Sequence, residues 1–76
     1  MFNIYGKNGC SSCVQAKQLL DNIQLNYQYL VFGKDYDMDK FMSFGVPHKS
    51  FPLITQVIDG EESYVGGLEQ LKQLLK

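Results

Sequence analysis

The sequence contains no arginine. Its seven basic residues are all lysine, set against eight acids for a formal net charge of −1. Guanidinium forks are therefore unavailable, and an anionic ligand must be held by lysine, backbone N–H groups or helix ends. No basic stripe runs along the chain, which argues against nucleic acid as a partner. No apolar run approaches the roughly 20 residues of a membrane span, so no membrane partner is expected. A turn-forming stretch, Gly6-Lys7-Asn8-Gly9, comes so early that the apolar centre of a signal peptide has no room. The expected compartment is the cytoplasm, where stable structural disulfides are rare. With only two cysteines, there is little for a disulfide-stapled scaffold to be built from.

What is present suffices for one small core. The 76 residues are 45% hydrophobic and 13% aromatic, which argues against disorder. A single domain over 1–76 is expected. The two cysteines stand together as Cys10-Ser11-Ser12-Cys13. A bridge between them closes a tiny loop and constrains little of the unfolded chain, so stapling is a weak role for the pair. The run before them, Phe2-Asn3-Ile4-Tyr5, is rich in strand formers, and the run from Val14 to Ile23 has helical spacing. A Cys-x-x-Cys at a strand-to-helix junction is the sequence form of a dithiol redox site. The first turn of a helix offers unpaired N–H groups and the positive end of the macrodipole. Both favour a thiolate and can lower a cysteine pKa from about 8.5 into the range of roughly 3.5–7.5. Cys10 is the expected thiolate and Cys13 the second thiol. Taken alone, the pair says "redox or metal".

The rest of the chain falls into alternating elements. Met1 to Tyr5 is predicted as a strand, with Tyr5 as strand-end core. The helix after it shows Cys13, Ala16, Leu20 and Ile23, with Leu19 beside them, as an apolar face. Tyr27 to Phe32 is a second strand, parallel to the first through a right-handed crossover. Asp37 caps a short helix with Met38, Phe41 and Met42 inward, ended by Gly45. Val46 to Ser50 is a loop holding His48, read as a surface residue. Phe51 to Ile58 is a third strand with Pro52 near its head, and Asp59-Gly60 turns it into a fourth, Glu61 to Val65. Gly66-Gly67 breaks that strand. Leu68, Leu71, Leu74 and Leu75 mark a last amphipathic helix.

This order, β-α-β-α-β-β-α, predicts an α/β domain with a four-stranded mixed sheet flanked by three helices. Four pieces sit on it in order: Lys7 three residues before Cys10, the Cys10–Cys13 pair, Pro52, and Val65-Gly66-Gly67-Leu68-Glu69. Together they resemble the glutaredoxin family, a branch of the thioredoxin fold, over essentially the whole chain. The resemblance implies a glutathione-dependent thiol–disulfide oxidoreductase. Cys10 would attack protein or glutathione mixed disulfides and Cys13 would resolve them. Glutathione would be a co-substrate, with no bound cofactor. Disulfide-bearing proteins, ribonucleotide reductase among them, would be the partners of a monomer. Glutathione would lie along Lys7, Ser12, Phe51, Pro52, Gly66, Gly67, Leu68 and Glu69. In this picture Phe51–Pro52 is cis, the Phe51 backbone pairs with the ligand, the glycines admit its backbone, and the Leu68 and Glu69 N–H groups receive its γ-glutamyl carboxylate.

Three departures qualify the match. Ser11-Ser12 stands where the family usually has Pro-Tyr. Phe51 replaces a valine or threonine. The stretch from Pro52 to Asp59 is two residues longer than usual, which preserves strand faces and predicts a longer hairpin or a bulge. Two other readings stay open. One is a small redoxin reduced by thioredoxin reductase. The other is a metal or iron–sulfur module, with the two cysteines and His48 as ligands where zinc wants four.

Overall fold

The computed structural model describes residues 1–45 and 50–75; His48 lies outside them. The elements are β1 (Phe2–Gly6), α1 (Ser11–Asn22), β2 (Tyr27–Val31), α2 (Met38–Met42), β3 (Leu53–Ile58), β4 (Glu61–Gly66) and α3 (Leu68–Leu74). Their order is the predicted one. The four strands make one sheet in the order β2-β1-β3-β4. β1 pairs parallel with β2 and antiparallel with β3, and β3 with β4 antiparallel.

β1 lies at the centre, with all five of its residues buried. Its alternation divides the core in two. Phe2 and Ile4 face α1 and α3, meeting Ala16, Leu20, Ile54 and Leu71. Tyr5 faces the other way and joins Leu53 and Phe41 of α2. Each fully buried leucine or isoleucine contributes on the order of 1.5–3 kcal/mol. The active loop leaves β1 between these two layers, so helix and sheet packing fix its position.

Local chemistry sets the element ends. Asp37 caps α2, its carboxylate accepting from the Lys40 N–H at 3.2 Å. Asp59 and Gly60 both have positive φ, 52° and 82°, as a two-residue type I′ hairpin turn requires. The long segment after Pro52 is accommodated by a ladder that runs out to Ile58 opposite Glu61. A bulge lies on the facing strand. Ile54 pairs with Gly66 and Thr55 with Tyr64, leaving Val65 as the extra residue.

Four residues of the predicted apolar faces point to water instead. Ile23 follows α1 as its C-cap and is 44% exposed. Met38 and Met42 are exposed at opposite ends of α2, Met42 at 65%, and Phe41 is the buried residue of that helix. Leu74 is 50% exposed, whereas Leu71 one turn earlier is fully buried. In each case the residue lies at a helix end. Phe32 ends outside β2, joined to Tyr36 by an isolated bridge.

Candidate active site

Cys10 and Cys13 form a disulfide across the first turn of α1, with their Cα atoms 5.3 Å apart. Cys10 is the N-cap residue in extended conformation, and its Sγ accepts the Cys13 backbone N–H at 3.2 Å. A free N–H of the helix start is thus aimed at the Cys10 sulfur, the direction that stabilises a thiolate there. Cys10 is partly exposed and Cys13 is 0% exposed. In this oxidised form a substrate can reach the first sulfur and not the second.

A groove of about 430 Å³ opens on the neighbouring surface, lined by neither cysteine. Ser12, between the two cysteines, forms one wall. Phe51 and Pro52, joined by a cis peptide bond, and Gly67, Leu68 and Glu69 at the start of α3 supply others. Six of the residues expected from the sequence therefore share one groove. Ser50, Tyr64 and Gln70 complete it, and sequence reasoning missed all three. Tyr64 reaches the groove through the β3–β4 register. Gln70 had a visible signal, its three-residue spacing from the N-cap Gly67, which suits a capping side chain.

Two expected residues stand elsewhere. Gly66 is buried behind the groove. A Cβ there would meet Gln70 Cγ at 2.6 Å, so the glycine makes room for Gln70 of its own chain. Gln70 Oε1 in turn accepts the Gly67 N–H at 2.9 Å. Lys7 does not line the groove. Its Nζ sits 5.0 Å from the Phe51 ring centroid, a cation–π distance. Phe51 itself packs against Phe32 and Phe41. Glu69 is the one charged residue among the described groove walls and pairs with Lys72 at 3.8 Å on an exposed surface. Exposed pairs of this kind contribute little.

Among the described residues no group of three or more His, Cys, Asp or Glu side chains could hold a metal ion, and no helix is long and apolar enough to cross a membrane.

A four-stranded mixed sheet, three helices and a Cys-x-x-Cys bridge opening the first of them constitute a glutaredoxin-like thioredoxin fold. The chain is similar to glutaredoxin 1 from Francisella tularensis, with a TM-score of 0.73 and 27% identity, covering 97% of this chain and 90% of that one. It is also similar to the thioredoxin-like protein BC3987, with a TM-score of 0.67 and 28% identity, covering 97% and 99%. No family model matches the sequence, and no curated protein does. Fold, neighbours and bridge together describe a thiol–disulfide oxidoreductase.

Proposed function

We propose that the chain is a dithiol redoxin of glutaredoxin type that draws its electrons from glutathione. The observation that carries this reading is the neighbouring groove, in which Ser12, Phe51, Pro52, Gly67, Leu68 and Glu69 surround a space for a short extended peptide. Cys10 thiolate attacks one sulfur of a substrate disulfide, and Cys13 then attacks Cys10 and frees the product. Two glutathione molecules reduce the bridge in turn. Glutaredoxin potentials of about −200 to −230 mV suit exchange with a glutathione pool. Disulfide-bearing cytoplasmic proteins, with ribonucleotide reductase as a candidate by resemblance, are the proposed substrates of a monomer.

A second reading has its own support. The charged group among the described groove walls is an acid, and Lys7 is turned onto Phe51. Glutathione carries two carboxylates, so this wall suits a less anionic partner, such as a protein reductase of the thioredoxin-reductase kind.

One experiment separates them. The oxidised protein is supplied either with glutathione and its reductase or with thioredoxin reductase, and turnover of a disulfide substrate is followed. Turnover with glutathione alone supports the first reading; turnover only with thioredoxin reductase replaces it with the second. In the same assay Cys10→Ser is expected to abolish exchange. Cys13→Ser should retain activity on glutathione mixed disulfides. The opposite pattern would reverse the two roles.

A further inference from the structure

Gly6 ends β1 beside the disulfide, and its surroundings bring a third group to the second sulfur. A Cβ at Gly6 would stand 3.0 Å from Cys13 Sγ and 3.0 Å from the Tyr29 hydroxyl oxygen. Both atoms border the same small volume, which the missing side chain leaves between them. Tyr29 comes from β2, opposite Ile4 in the register, and packs on the α1 face of the sheet. Its hydroxyl donates to the Lys7 carbonyl at 3.5 Å, a long bond that leaves the proton free to turn elsewhere.

Cys13 needs such a neighbour. It is wholly buried, and burial disfavours the charged form of a thiol. Yet the thiolate is the nucleophile in exchange. We propose that Tyr29 is a positioning residue for the resolving step: its hydroxyl turns to Cys13 Sγ and donates a hydrogen bond to the thiolate as it forms. This rests on the dithiol reading above.

The step balances as follows. Cys10 has displaced one thiolate from a substrate disulfide, and that thiolate has taken a proton from water. Cys10 holds the other half as a mixed disulfide. Cys13 gives its proton to water, and its sulfur attacks Cys10 Sγ. The Cys10–Cys13 bond forms, the bond from Cys10 to the substrate sulfur breaks, and the departing thiolate is protonated by water. Two electrons pass from the cysteine pair to the substrate.

Other ionisable groups around Cys13 are placed differently. Cys10 is the N-cap of α1, whose own charged residues, Lys17 and Asp21, are exposed. The loop after β1 supplies Lys7, which lies over Phe51. Tyr36 reaches the Gly6 carbonyl at 2.8 Å and packs with the opposite core layer. On α3, Glu69 and Lys72 pair with each other. β3 carries no ionisable side chain. Tyr29 is the group whose hydroxyl borders the volume beside Cys13.

The test uses the Cys10→Ser protein, in which Cys13 is the only thiol. Its thiolate is titrated by ultraviolet absorbance and by alkylation rate against pH, with and without Tyr29→Phe. Loss of the hydroxyl is expected to move the titration to higher pH and slow alkylation about tenfold at neutral pH, with the high-pH plateau unchanged. Gly6→Ala, which wedges a methyl group between the two, should move it in the same direction. In single turnover of the two-cysteine protein, Tyr29→Phe should slow release of the second thiol at neutral pH and recover at high pH. Superimposable titrations in both pairs overturn the proposal, as does slowing by one factor at every pH. The titration needs no turnover, so a protein that exchanges no thiols would defeat the dithiol reading and leave this result to be judged separately.

Discussion

At Gly66, two constraints fall on one residue. Its φ is +137° and a side chain there would strike Gln70, so space and backbone both demand glycine. Gly66→Ala is expected to cost about 1–3 kcal/mol, read from urea unfolding. In a Gln70→Gly background the same substitution should recover part of the loss, because the Cβ, Cγ and Cδ that the methyl group would strike are gone and only the backbone angle remains. Full recovery would mean that the angle costs nothing, and no loss in the single variant would refute both constraints. Gly67 differs: it opens on the groove and gives its N–H to Gln70. A glycine pair read from sequence as one ligand-admitting unit thus divides into a packing glycine and a wall glycine.

Helices show the same division between pattern and placement. Leu71 and Leu74 both continue the apolar stripe of α3, but only Leu71 meets the core. Leu71→Ala is therefore expected to lose about 2–5 kcal/mol, and Leu74→Ala to stay within about 0.5 kcal/mol, in the same unfolding assay. Similar losses would mean that α3 packs along its whole stripe. Spacing reports which face of a helix is apolar, not how much of that face is covered. This is why Ile23, Met38, Met42 and Leu74 share the apolar faces yet are exposed, while Ala16, Leu20 and Phe41 are buried. Element order was legible because Gly, Asp and Pro punctuate it and because strands and helices alternate with distinct periods. The cysteine pair was legible because its spacing is local. Tyr29, Tyr64 and the space at Gly6 become neighbours of the site only through strand register, which no local pattern carries.

Across the whole molecule, one carboxylate ties three strands and a helix together. Glu62 of β4 accepts hydrogen bonds at Oε2 from Asn3 Nδ2 at 2.9 Å, from the Tyr5 hydroxyl at 2.6 Å and from the Thr55 hydroxyl. Its Oε1 faces Lys40 of α2 at 3.6 Å. Burial pushes the Glu62 carboxyl up, but the bonds from Thr55, Tyr5 and Asn3, with the Lys40 charge, outweigh it and hold it below the ordinary 4.5. Tyr5 is shifted the other way, by burial and then by its bond to Glu62, so its hydroxyl stays a protonated donor throughout the acid range. A carboxylate depressed in the folded state stabilises that state above its unfolded pKa, and the contribution fades as pH falls through the folded value. Glu62→Gln removes the charge: its amide oxygen can still accept from the three donors, but as weaker neutral hydrogen bonds, and its N–H₂ is turned toward Lys40. The expected cost is about 1–3 kcal/mol at neutral pH, most of it from the hydrogen bonds, since Lys40 is half exposed and its ion pair is worth little. Urea midpoints of the two proteins, measured from pH 7 downward, should converge below about pH 4.5 as the native carboxylate takes its proton. A gap that is constant with pH would place the cost in shape alone. No gap at neutral pH would show that the sheet and α2 hold together without this carboxylate.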